Sequence, residues 1–149
     1  MTTNLLNTKG SLYPKYQLNM NKIILVTASI LGMLAIILGA FASHGLKGLI
    51  SVELLQTFET GVRYQMYHAI VLLFVGMTSV FNKKTKQLLF YLIVIGVLLF
   101  SGSIYGLATN ELSAFEFKRI GFVTPVGGLL LILSWAIMLV NFLKIKSDK

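Results

Sequence analysis

The sequence predicts an all-α polytopic integral membrane protein, a four-helix transmembrane bundle with both termini in the cytoplasm. Three observations lead there. Four long stretches contain no Asp, Glu, Lys or Arg; charged residues make up only 12% of the chain; and the basic residues gather between the apolar stretches. A soluble domain carries about 25% charged residues. Here 56% of the residues are hydrophobic and the mean hydropathy is +0.80, so there are too few charges to cover a globule in water.

The charge-free stretches are Ile23–Lys47 (taken to its first charge), Tyr64–Asn82, Gln87–Asn110 and Ile120–Leu143. About 20 apolar residues cross about 30 Å of hydrocarbon as a helix. Only helices and closed barrels satisfy their backbone polar groups in lipid, and these runs are continuous rather than alternating. The expected spans are 23–43, 64–82, 87–109 and 123–143 within a membrane domain of residues 20–146. The first run is longer than the roughly 7–15 residues of a signal-peptide core and three more follow, so it reads as a retained helix despite the small-x-small Ala40-Phe41-Ala42.

Residues 1–19 are polar, contain Pro14 and lack helical periodicity. They read as a disordered extension, or as a start assigned upstream of the natural Met20-Asn21-Lys22. Residues 147–149 form the end of the cytoplasmic tail. Lys9, Lys15, Lys22, Lys83, Lys84, Lys86, Lys144, Lys146 and Lys149 fall on one side of a four-span chain. Lys47, Arg63, Lys118 and Arg119 fall on the other with Glu53, Glu59, Glu111 and Glu116. The positive-inside rule places the first group in the cytoplasm. The net charge of +8 therefore reads as membrane topology and not as a nucleic-acid stripe. The absence of cysteine removes disulfides, thiolate metal sites and cysteine nucleophiles.

Ser51 reads as an N-cap followed by Glu53 at the positive end of the helix dipole. Leu54, Leu55, Phe58 and Val62 then recur at helical spacing. Residues 51–63 form an interfacial helix or extend the second span beyond the bilayer. His44-Gly45 reads as the end of the first helix, with Gly45 its C-terminal residue. Thr124-Pro125 reads as cap and first residue of the fourth.

Small residues let membrane helices approach. Gly32 and Gly39 in the first helix, with Ala28, Ala35 and Ser43, form one such face. Gly102 and Gly106 in the third and Gly127 and Gly128 in the fourth do the same. At 100° per residue, Thr57, Gly61, Tyr64, His68, Leu72, Val75 and Ser79 share one face of the second helix, with Gln65 at its edge. That face is expected inside. Glu59, Arg63, Tyr67, Ile70, Phe74, Met77 and Phe81 are expected toward lipid, with Glu59 in reach of Arg63.

His68 is the ionisable group placed well inside a span, and such residues are functional hypotheses by default. Two readings stand: a neutral ring hydrogen-bonded to Ser101, Ser103 or Tyr105 that fixes helix register, or a group that handles protons or an anion. A single histidine makes a poor proton relay, which weighs toward the first. A haem between His44 and His68 is disfavoured by their different depths.

The chain also resembles a known family. Gly39-Ala40-Phe41-Ala42-Ser43-His44-Gly45-Leu46 resembles GAFGAHGL, and Thr60-Gly61-Val62-Arg63-Tyr64-Gln65-Met66-Tyr67-His68-Ala69 resembles TGxRYQxxHA. Phe100-Ser101-Gly102-Ser103-Ile104-Tyr105 resembles FSGSLY, and Thr124-Pro125-Val126-Gly127-Gly128 resembles TPxGG. In that order, over about residues 20–145, they are similar to the YgdD/YwdK-like family of small four-helix bacterial membrane proteins of unknown function. That family is in turn similar to vertebrate transmembrane protein 256. Ala42, Ser43 and Phe122 depart from the family pattern. The resemblance implies a four-helix membrane protein and supplies no catalytic residues.

The motif residues His44, Glu59, Arg63, Tyr64, Gln65, His68, Ser101, Ser103, Tyr105 and Thr124 are expected to form one polar cluster below the outer surface. The expected role is a structural, assembly or accessory subunit of a complex in the bacterial inner membrane. The alternative is a small oligomeric transporter or channel working through His68 and Arg63. Enzymatic activity is not expected: the one aspartate, Asp148, lies in the tail, and Ser101 and Ser103 have only His68 as a base. No metal, cofactor or nucleic acid is expected; the partners are the lipid bilayer and a membrane protein or further copies of the chain.

Overall fold

A computed structural model describes residues 12–112 and 121–145, with side chains described from Met20 onward. Four helices run in sequence: α1 (Leu12–Phe41), α2 (Val52–Met77), α3 (Lys83–Ala108) and α4 (Val123–Leu143). α1 begins upstream of the predicted start. Residues 12–19, expected as part of a disordered extension, are helical; residues 1–11 and 146–149 lie outside the described residues.

At its far end α1 widens into one π-type turn, Ala42–Leu46, before the chain reverses. The glycine that makes the reversal is Gly48, at φ +89°, a left-handed conformation open mainly to glycine. The predicted stop at Gly45 is therefore displaced to the next glycine. Gly45 instead lies close under the Phe41 ring, where a Cβ would approach to 2.5 Å.

Ser51 caps α2 as expected, its Oγ accepting from Leu54 N–H at 3.3 Å. Residues 51–63 are thus no separate helix: α2 is continuous from Val52. It stops at Met77, five residues short of the predicted Asn82, because Thr78 turns extended and Asn82 starts α3 by accepting from Thr85 N–H at 3.0 Å. Tyr64–Met77 is too short to cross about 30 Å at 1.5 Å per residue. A crossing by α2 must include the turns that carry Glu59 and Arg63, at the rim. For the same reason α2 is less apolar than Met20–Leu46, Lys83–Ala108 and Val123–Leu143, each long and apolar enough to span.

The early stop also overturns the placement of Phe81. Beyond the helix its ring folds back and is buried, stacking near Phe142 at 5.4 Å. α4 starts at Val123, so Thr124 lies inside the first turn and Pro125 follows it; Phe122 stands at the cap without a side-chain bond.

α1 packs on α2, α2 on α3 and α3 on α4. Toward the end carrying the termini lies an apolar core that includes Ile24, Ala28, Leu72, Val75, Leu89, Ile93, Leu131 and Met138. Toward the other end lies a smaller core of Ala42, Leu46, Phe58 and Ala108. Large apolar side chains such as Ile36, Met33, Ile70, Leu98, Ile132 and Leu139 cover the outside. This inverted surface suits hydrocarbon, where it has no water to order.

Glycines bring the backbones of α3 and α4 close together. A Cβ on Gly127 would strike Phe100 N and sit 2.9 Å from Gly96 O, and one on Gly96 would sit 3.3 Å from Gly127 O. Gly128 faces the Phe100 ring, Gly32 faces Ala69, and Gly39 faces Val62. Gly106 is buried, whereas Gly102 is exposed, with nothing within 4 Å of its Cβ position. The predicted Gly102–Gly106 packing face is thus half occupied, and Gly61, Gly76 and Gly96 supply the contacts instead.

Candidate functional site between α2, α3 and α4

Three separate polar units take the place of the single expected cluster. The first joins three helices. Gln65 is buried; its Nε2 donates to Leu31 O on α1 at 2.8 Å, and its Oε1 accepts from Tyr105 Oη on α3 at 2.9 Å. Gly61 makes this possible one turn earlier, since any Cβ there would fall 2.7 Å from the Tyr105 ring. Phe58 closes the other side of that ring at a centroid distance of 4.7 Å. The helical wheel put Gln65 at the edge of the inner face; the burial of Phe58, Gly61, Gln65, His68 and Ala69 puts it at the centre.

The second unit joins α3 to α4. Ser103 and Thr124 share a hydrogen bond at 2.7 Å, and Ser103 also donates back to Phe100 O at 2.9 Å. One hydroxyl has a single proton, so with Ser103 donating to the carbonyl, Thr124 donates to Ser103. The hydroxyl expected to cap α4 instead ties it to α3.

The third unit is His68. Its Nδ1 lies 2.8 Å from Tyr64 O. A carbonyl only accepts, so Nδ1 carries the proton. Among the described residues no group partners Nε2, nor the buried Ser101 Oγ. The expected bonds from His68 to Ser101, Ser103 or Tyr105 are absent: Ser103 and Tyr105 are engaged elsewhere. Among the described residues no anion faces the ring, and an unpaired charge at membrane depth is costly, so the ring is read as neutral with Nε2 as an acceptor.

The remaining predicted residues stand apart. Arg63 is exposed, and its Nη2 donates to Thr60 Oγ1 at 3.0 Å in place of the expected pair with Glu59. His44 is exposed on the π-type turn. Tyr64 is on the rim, its ring 4.8 Å from Phe100 and nearly parallel to His68 at 6.3 Å.

Beside His68 the helices leave a cavity of about 350 Å³ lined by Tyr64, His68, Phe100, Gly128, Leu131, Ile132 and Trp135. Phe142 of α4 meets Phe74 of α2 at 6.2 Å and Phe81 in the turn that follows α2 at 5.4 Å, while α4 packs mainly on α3. The sequence reading missed Phe100, Leu131, Ile132 and Trp135 as lining residues. The available signals were Trp135, the sole tryptophan, and the aromatic residue that opens Phe100-Ser101-Gly102-Ser103.

At the opposite end, Lys86 is buried, its Nζ donating to Asn21 Oδ1 at 3.0 Å and Gly76 O at 3.4 Å. The sequence assigned Lys86 to a cytoplasmic loop; here it ties together the ends of α1, α2 and α3. Among the described residues no three His, Asp or Glu side chains come together as metal ligands.

Residues 38–128 match the family described as Protein of unknown function (DUF423). The UPF0382 membrane protein YwdK of Bacillus subtilis is 36% identical over 128 residues, covering 83% of this chain and 98% of that protein. A UPF0382 membrane protein of Haemophilus influenzae is 35% identical over 123 residues, covering 83% of this chain and 95% of its own length. The UPF0382 inner membrane protein YgdD of Escherichia coli is 31% identical over 129 residues, covering 85% and 93%. No solved structure matches the chain. A motif order, a four-helix apolar fold and near full-length relatives agree: the chain belongs to the uncharacterised UPF0382 family of membrane proteins, which includes YwdK and YgdD.

Proposed function

We propose that the protein is an accessory or assembly subunit of a complex in the cytoplasmic membrane, with both termini on the cytoplasmic side and no catalytic chemistry of its own. The observation that carries this reading is the layering of the interior. Gln65, Tyr105, Ser103 and Thr124 are tied up in bonds within the chain. Between them and the Lys86–Asn21 tie lies the apolar core of Ile24, Ala28, Leu72, Val75, Leu89 and Ile93. A solute path along the bundle would have to cross that core without polar partners, which is expensive for any ion. Hydrogen-bonded ties of this kind specify one arrangement of helices, which suits a protein whose work is done by its outer surface. The basic residues of the terminal side and the name of YgdD, an inner membrane protein, support the location.

Native mass analysis of the protein gently extracted from its own membrane tests the reading. A defined complex with another membrane protein is expected. A homo-oligomer carrying no other protein would overturn it and favour flux assays on His68 and Arg63 variants.

A further inference from the structure

The cavity beside His68 is not explained by subunit assembly. Four of its lining residues carry rings: Tyr64, His68, Phe100 and Trp135. Ring faces and edges favour offset or edge-on contact with another aromatic ring. Its volume, about 350 Å³, lies at the small end of the range for small-molecule sites. His68, 4% exposed, keeps one acceptor without a partner among the described residues, and buried polar groups in folded proteins are normally satisfied. The cavity lies among apolar side chains of α4 that are exposed at membrane depth, Ile132 and Trp135 among them. A ligand would therefore arrive from the bilayer.

We propose that this cavity binds a bilayer-dissolved phenolic molecule, a planar aromatic ring whose hydroxyl donates to His68 Nε2 while its faces rest against Tyr64, Phe100 and Trp135. A neutral donor fits a neutral acceptor in a site with no charged lining residue among the described residues. Nε2 itself is covered. Binding therefore requires a lining side chain to shift, and Tyr64, its ring 6.3 Å from the imidazole and 41% exposed, is the residue we assign to that movement. An aliphatic lipid alcohol would satisfy Nε2 but leave the aromatic walls without a ring.

Trp135 is the sole tryptophan, so its fluorescence reports on the cavity directly. The full chain in liposomes would be titrated with three bromine-labelled contact quenchers: an octyl-bromophenol, its methyl ether, and a bromoalkanol of matched length. Saturable quenching by the phenol is expected, with the ether about ten-fold weaker for loss of one hydrogen bond to a buried acceptor. In His68→Phe the preference for phenol over ether should vanish. Gly128→Leu, whose Cβ meets only the Phe100 ring at 3.5 Å, should fold and fill the cavity, abolishing saturation. Non-saturable quenching by all three compounds would overturn the proposal, since bulk partitioning alone would then explain it. Equal saturable quenching by the alcohol would overturn the aromatic ligand in favour of a lipid. Retained preference in His68→Phe, or retained saturation in Gly128→Leu, would overturn the site.

Discussion

Gln65 shows how one side chain can hold three helices. It bonds Leu31 O on α1 and Tyr105 Oη on α3 from its place on α2. Gln65→Leu removes both bonds and leaves the partly buried Tyr105 hydroxyl without its partner, at a cost of about 1–3 kcal/mol. Thermal unfolding in detergent should register that loss. Combined with Tyr105→Phe in a double-mutant cycle, the coupling should be about 0.6 kcal/mol and no more than about 1.7, the range for hydrogen bonds between membrane helices. A coupling of zero would mean that Tyr105 finds another partner. Residue type and order pointed to Gln65 and Tyr105, but their pairing depends on Gly61 clearing a space for the ring. That is a distance in space, which sequence spacing does not contain. Lys86 makes the same point in reverse: a basic residue beside Lys83 and Lys84 reads as loop charge, and only the ends of α1 and α2 turn it inward.

At the scale of the element, glycine spacing indicated close helix contact without saying which glycines make it. Gly127 stands against the backbone of α3, so Gly127→Ala must push the helices apart and should destabilise by about 1–3 kcal/mol. Gly102 faces open space. Gly102→Ala should leave stability unchanged or raise it by about 0.4–1 kcal/mol, because alanine restricts the unfolded chain more. The two melting curves, measured side by side, separate a packing glycine from an exposed one. The start of α2 is the element most directly readable from sequence: Ser51, Glu53 and the helical spacing after them gave its cap. There the Glu53 carboxyl is held below the ordinary glutamate value by hydrogen bonds from its own backbone N–H and from Ser51. A depressed carboxylate contributes stability that is present above its unfolded pKa and lost as pH falls through the folded value. NMR titration should place the Glu53 midpoint below that of an unstructured glutamate, and Ser51→Ala should move it back up.

For the whole molecule, the native chain has no cysteine, so single cysteines report topology without background. Lys84, in the first turn of α3, and Glu111, three residues beyond its other end, are both exposed. If both termini are cytoplasmic, as proposed, Lys84→Cys should react with a membrane-impermeant maleimide only in inverted vesicles, and Glu111→Cys only in intact cells. The reverse pattern would invert the bundle.

The sequence by itself determined that the chain is helical, that it belongs in a membrane and which family it resembles. These properties are local or additive: apolar length, charge placement and motif order need no knowledge of neighbours. The tertiary structure decided where α2 ends and hence that Phe81 turns inward. It decided which small residues touch, and that the motif polar groups divide into a Gln65–Tyr105 tie, a Ser103–Thr124 tie and a His68 whose Nε2 finds no partner among the described residues. It also formed the cavity beside Trp135, where side chains of α2, α3 and α4 meet around His68. In lipid, apolar residues are equally content on either side of a helix. Hydrophobic periodicity therefore says little about facing, and only backbone approach and paired hydrogen bonds fix which face turns inward.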